Sequence, residues 1–315
     1  MVAALLMLLS TTRVRRPQPL NAPVALVPLA TGTAHFGPLE MVAAWEIVAP
    51  DRRLGGFSAF AKVAPEPRTG ATSVVLLTDS GRLLSLRIGA DRRLLDQRWD
   101  QLTARAGQRG NSTRFDTESI VARRDGGWIA GLEAPPRLAL ADDQLRATRF
   151  RRDPPMRRWT NNSGPEAMTW LADGRLLVLS ERLWDDAGGS VALTYGGDPF
   201  SDVTAPSVRR YATEDRGAVT DATALHDGRV LVLHRSFGLP WRWDSAIAVV
   251  DARQLRGDGP IEARLLARVP AGDWQDNYEG IAVTHERGER FIWLVSDDNA
   301  HRWQRSLLLK LRWPE

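Results

Sequence analysis

The chain has 315 residues, 43% of them hydrophobic, and a net charge of +4. That content can bury one large or two small cores and excludes a chain disordered throughout. The absence of cysteine excludes disulfides, thiolate catalysis and cysteine-ligated zinc. The positive charge is nearly all arginine, interleaved with acids rather than gathered in a stripe, so nucleic acid is not an expected partner.

In chain order, the first element is an apolar run, Val2 to Leu9, followed by Arg13, Arg15 and Arg16. It has the length of a secretory h-region and is too short to span a bilayer. We therefore expect residues 1–40 to be a signal-like or flexible segment, with a periplasmic or secreted protein that starts near a membrane. From 41 onward, short runs of Leu, Val and Ile end in turn residues, which is a strand pattern rather than a helical one. "MVAAWEIVA" (41–49) comes first. "GFSAFAKVAPEPRTGATSVVLLTD" (56–79) is a hairpin. "DTESIVARRDGGWIAGLE" (116–133), "PEAMTWLADGRLLVLSE" (165–181) and "TDATALHDGRVLVLHR" (220–235) are three more, and "YEGIAVTHERGERFIWLVSD" (278–297) is a longer version. Asp-Gly at 125–126, 173–174 and 227–228, and Ser-Gly at 80–81, predict the turns, with both residues of Asp-Gly tolerating positive φ.

These hairpins are one repeated unit. Their first-strand landmarks fall near 57, 118, 166, 221 and 279, a period of roughly 50–60 residues. "SVALTYG" (190–196) and "SAIAVVDA" (245–252) read as third strands, and "SVRRYAT" (207–213) and "ARLLARVPA" (263–271) as outer ones. The fold class that follows is an all-β propeller with five blades, or six if 89–115 hides a degenerate one. The last unit ends with "SLLLKLRW" (306–313) and lacks an outer strand, which 41–49 can supply by pairing beside it. That closure removes two open sheet edges.

In such a ring the first strand of each blade lines the central channel. Glu118, Glu166, Asp221 and Glu279, with Asn162 and Asn277 nearby, would then meet at one mouth. A second set follows the second strand: Asp79, Glu133, Glu181, His234-Arg235 and Asp297-Asp298-Asn299. Glu118 to Glu133 and Glu166 to Glu181 are each 15 residues apart, so the two sets occupy equivalent blade positions. Crowded carboxylates raise one another's pKa or recruit a cation, and carboxylates with Asn carbonyls are oxygen ligands of the calcium type. No G-x-S-x-G motif is present, and the five histidines show no metal spacing.

At "NNSGPEAM", "NYEGIAV" and "VSDDNAHRWQRSLLLKL" the chain resembles the family of bacterial propeller-like proteins described by the esterase-like activity of phytase. The resemblance covers 41–315 and implies hydrolysis of phosphoesters or esters by an exported protein. The first unit departs from the pattern, opening Gly56-Phe57-Ser58 without a carboxylate.

Together these features give an expected site. Glu118, Glu166, Glu279, His234 and Arg235 are candidates for catalysis. Arg182, Trp241, Trp243 and Asn299 are candidates for binding substrate, with "LPWRWDS" (239–245) as an aromatic lid. Asp221, Glu181, Asp297 and Asp298 are candidates for a metal, with Ca2+ the expected ion. The expected partner is a small anionic or ester substrate, and the expected state a monomer. The alternative is a non-catalytic propeller that binds a ligand or scaffolds the cell envelope.

Overall fold

The computed structural model describes residues 23–32, 34–50, 54–104, 115–160, 163–183, 189–202, 204–238, 242–299 and 304–314. They form five sheets, antiparallel except for one short edge pairing, and the consecutive strands of each blade run in chain order from the channel outward. Blade one contains Phe57–Pro65, Thr72–Thr78, Arg82–Ile88 and Leu94–Gln101. Blade two contains Thr117–Ala122, Trp128–Leu132, Arg137–Ala141 and Arg146–Arg151, with Thr103–Ala104 laid parallel on its outer edge. Blade three contains Pro165–Trp170, Leu176–Leu183, Ser190–Tyr195 and Ser207–Tyr211. Blade four contains Ala218–Ala224, Val230–Gly238, Arg242–Val250 and Arg264–Arg268. In blade five, Tyr278–Glu286, Glu289–Ser296 and Leu307–Trp313 are completed by Leu39–Val48 from the other end of the chain.

The closure is antiparallel, running from Leu307 opposite Glu46 to Arg312 opposite Glu40. It matches the sequence expectation, and the blade count is five. The stretch suspected of hiding a sixth blade instead supplies the outer strand of blade one and the edge piece of blade two. The ordered sheet also begins before residue 41. Ala25–Pro28 pairs outside Leu39–Val48, and His35–Phe36 folds back on it. The separate 1–40 segment is therefore corrected for 25–40, while 1–22 lie outside the described residues. No described helix is long and apolar enough to cross a membrane.

Alternation of side chains explains the core. Residues on both faces of the middle strands are apolar because each blade is covered by a neighbour on both sides, as the buried run Leu231, Val232 and Leu233 shows. Trp45 of the closing strand and Trp293 stack at 6.1 Å between blades five and one, both buried. The inner strands touch in a ring, each against the next, with Tyr278–Glu286 returning to Phe57–Pro65. The hairpin turns differ in one detail from expectation. At 173–174 and 227–228 only the glycines take positive φ, 92° for Gly174 and 86° for Gly228. The aspartates instead accept the amides of Arg175 and Arg229 and pair with their guanidinium groups.

Candidate functional site

The site is built by a feature that recurs in every blade. At the start of each inner strand the pairing register shifts. Phe57 faces Thr78 while Ala59 faces Leu77; Thr117 faces Leu132 while Ser119 faces Gly131; Pro165 faces Ser180 while Ala167 faces Leu179. Val219 faces His234 while Asp221 faces Leu233, and Tyr278 faces Ser296 while Gly280 faces Val295. One residue per blade is left out of the ladder, as in a β-bulge: Ser58, Glu118, Glu166, Thr220 and Glu279. These form the inner ring. The residue following each second-strand partner forms the outer ring: Asp79, Glu133, Glu181, Arg235 and Asp297.

This assignment corrects the sequence reading at blade four. Thr220, not Asp221, holds the ring position, and Thr220 to Arg235 restores the 15-residue spacing of blades two and three. Asp221 sits one residue on. It accepts the amides of Ala222 at 2.8 Å and Ile281 at 2.8 Å, and also that of Phe60. Burial pushes its carboxyl well above the usual range, while the three amides favour its charged form. It therefore pins the inner strands of blades four, five and one together. Ser58 and Thr220 also tie blades, donating to the carbonyls of Thr117 and Tyr278 at 3.0 and 3.3 Å.

The acids of blades two and three converge. One carboxylate oxygen each from Glu133, Glu166 and Glu181 lie within 4.8 Å of one another, and so do oxygens of Asp116, Glu118 and Glu133. Glu133 is common to both groups. Calcium–oxygen distances of about 2.3–2.6 Å let two ligands of one ion lie up to roughly 5 Å apart, so each group fits a calcium-sized cation. Burial first, then repulsion from Glu133, Asp116, Glu279 and Asp79, pushes the Glu118 carboxyl well up; burial, Glu118, Glu181 and Glu133 do the same to Glu166.

Arg235 is the one cation in the two rings. Its guanidinium donates to Glu279 Oε1, to Asn277 Oδ1 at 3.0 Å and to Glu181 Oε1 at 3.2 Å. Asn277 Nδ2 adds a second donor to Glu279 Oε1 at 2.7 Å. Burial raises the Glu279 pKa to about 7 even though Arg235 pulls it down. Both neighbours act on Oε1, and Oε2 takes part in neither bond. Gly280 after it has no positive φ; a Cβ there would stand 2.7 Å from Val295 Cγ1 and 3.1 Å from Phe60. The glycine is required by close packing of blades five and one, not by a backbone bend.

The remaining candidates divide. His234 alternates with Arg235 along the strand and so points to the opposite sheet face. It is fully buried, lies 2.8 Å from the Tyr211 hydroxyl and 3.3 Å from the Gly217 carbonyl, and burial lowers its pKa to about 3. It is a neutral packing residue and does not join the acids. Asp297 Oδ1 accepts the amides of Gly56 at 2.6 Å and Asn299 at 3.0 Å, joining blades five and one. Asp298 lies against Gly55, where a Cβ would meet its Oδ1 at 2.3 Å. Neither aspartate belongs to the two carboxylate groups, and the Asn299 side chain is exposed. Trp243 packs on Phe237 at 4.8 Å, with the Arg235 guanidinium 5.5 Å above its ring. The Arg182 side chain, Trp241 and Asn162 lie outside the described residues. Sequence reasoning placed Glu133 in the second set without giving it a role, and it missed Asp116. The signal for Glu133 was its 15-residue spacing from Glu118; nothing in the repeat marks Asp116.

A family model for phytase-like proteins, described as esterase-like activity of phytase, matches residues 52–300. The chain belongs to this family. Among solved structures, this phytase-like propeller is similar to an α-L-arabinofuranosidase from Podospora anserina solved with cellotriose, at 12% identity and a TM-score of 0.50, covering 91% of this chain and 96% of that one. A gluconolactonase from Xanthomonas campestris matches at 12% identity and a TM-score of 0.44, covering 95% and 99%. At such identity the first likeness speaks to the fold alone. No curated protein matches the chain significantly by sequence.

Proposed function

We propose that this phytase-like propeller is a cation-dependent hydrolase of phosphoesters or carboxylic esters, acting at the mouth formed by the two rings. The observation that carries the reading is the pair of carboxylate groups sharing Glu133. Glu133, Glu166 and Glu181 would hold one ion, and Asp116 and Glu118 with Glu133 a second. A bound divalent cation of the calcium type supplies charge neutralisation and Lewis acidity toward an ester or phosphoryl oxygen. Family membership and the oxygen-only donor set support the reading.

The chain's own residues then divide the work. Glu279 lies outside both carboxylate groups, and a pKa of about 7 suits a general base that takes a proton from water at neutral pH. Arg235 and Asn277 are positioning residues, because they fix Glu279 through Oε1. Arg235 is already paired with two carboxylates, which argues against its clamping a phosphate. Export through the N-terminal apolar run, and action as a monomer, belong to the same proposal.

The test is hydrolysis of ester and phosphoester panels by protein stripped of metal and then resupplied with calcium. Turnover should depend on the cation. Glu279→Gln should lower kcat by about 100-fold or more while leaving calcium affinity nearly unchanged. Equal turnover in Glu279→Gln and in the parent protein would remove Glu279 as base. Calcium binding without turnover on either panel would favour the scaffold alternative.

A further inference from the structure

Large apolar side chains exposed at the surface are informative only where something sets them apart. Among the described residues, Val27, Leu95, Val208 and Leu265 lie on outermost strands and Phe150 on the fourth strand of blade two, one per blade, at the rim of the disc. Phe237, 42% exposed, does not. It lies on the second strand of blade four, two residues beyond Arg235, so both side chains leave the same sheet face. The hairpin carrying it stays paired past Arg235, through Phe237 opposite Trp243 and Gly238 opposite Arg242. Three residues at about 3.3 Å each carry it roughly 10 Å beyond the outer ring. Trp243 packs against Phe237 at 4.8 Å, and the Arg235 guanidinium covers the Trp243 ring while donating to Glu181 and Glu279. An aromatic wall thus rises directly from the acidic floor, joined to it by Arg235.

We infer that Phe237 and Trp243 form a specificity ledge, and that the ligand is an ester of low charge bearing a planar ring. The ring stacks against the exposed Phe237 while the ester lies over the carboxylates. Charge argues for the carboxylic rather than the phosphoric ester. Even with two divalent ions on the five carboxylates of the two groups, Asp79, Glu279 and Asp297 outnumber Arg235, which is already paired, so an added phosphoryl dianion would still meet excess negative charge. An uncharged ester meets no such penalty. A ring stacked on a half-exposed aromatic gains about 0.5–1.5 kcal/mol, or roughly 2- to 13-fold in binding.

The reaction rests on the hydrolase reading above; the ring-binding ledge does not. The experiment compares kcat/KM for 1-naphthyl acetate, butyl acetate and 1-naphthyl phosphate in the calcium-supplied full chain, in Phe237→Ala and in Leu95→Ala. Because aryl acetates are intrinsically more reactive, the readout is the change in the naphthyl-to-butyl ratio on substitution. Phe237→Ala should lower that ratio about 3- to 10-fold, chiefly through KM on the naphthyl ester, and Leu95→Ala at the rim should not. An unchanged ratio, an equal fall in Leu95→Ala, or a parent enzyme that prefers 1-naphthyl phosphate would overturn the inference. If the parent protein hydrolyses none of the three, the hydrolase reading fails, and calorimetric binding of 1-naphthol decides the ledge alone. Binding that weakens in Phe237→Ala sustains it; no binding by the parent protein overturns it.

Discussion

At the scale of single residues, two adjacent positions in blade four do opposite jobs. Thr220 occupies the ring, and Asp221 faces backbone amides from other blades. The sequence draws attention to the wrong one, because an acid at the start of an inner strand matches Glu118, Glu166 and Glu279 by type. Only the register of the bulge separates them, and the 15-residue spacing to Arg235 is its trace in the sequence. The distinction is testable. Asp221→Asn keeps the size but presents an NH2 group to amides that need acceptors, leaving at least one buried N–H unpaired. Such a loss costs about 1–3 kcal/mol. The variant should unfold at lower denaturant concentration, and calorimetry should find its calcium affinity unchanged. A large fall in affinity with unchanged stability would return Asp221 to the metal site.

At the scale of elements, most of the architecture is legible because each blade repeats the same local rules. Apolar runs of strand length, glycine-marked turns and an acid after the second strand recur, and the unfinished last unit points to 41–49 as its completion. What is not legible is register. Bulges shift pairing by one residue without altering composition, so the facing of His234 against Arg235 follows only from the folded sheet. The extra pairing of Ala25–Pro28 was hidden by its shortness. The closing strand should matter energetically in proportion to what it buries. Trp45 is 2% exposed, stacks on Trp293, and donates from Nε1 to the Arg92 carbonyl at 2.8 Å. Trp45→Ala should therefore cost about 3–5 kcal/mol, seen as a lower denaturation midpoint. Leu95→Ala, on the exposed rim, should change stability by less than about 0.5 kcal/mol. Equal effects would mean that blade five is not the seam holding the ring.

At the scale of the whole molecule, the ring brings together acids that lie far apart in sequence, and the result is a mouth whose charge opposes folding unless compensated. The sign follows from Glu279. Its pKa is about 7 in the folded protein against 4.5 for an unperturbed glutamate, so between those values the folded state binds the extra proton. Stability from this group is full below about pH 4.5 and is lost as pH rises through about 7. Glu118 and Glu166 are raised in the same direction by burial and mutual repulsion. His234 works the other way, losing stability as pH falls from 6.5 toward its folded value of about 3. Comparing melting temperatures with and without calcium at each pH cancels the His234 contribution, since it lies on the face away from the acids. At pH 7.5 a calcium concentration 100 times Kd should add about 2.7 kcal/mol for each ion bound, on the order of 5 °C in Tm per ion. At pH 4.5 protons already fill the role of the cation, and the calcium increment should nearly vanish. Glu133→Gln removes the carboxylate common to both groups, so it should abolish most of the increment at pH 7.5 and melt close to the parent protein at pH 4.5. An increment of the same size at both pH values, or one that survives in Glu133→Gln, would place any bound cation away from the channel mouth.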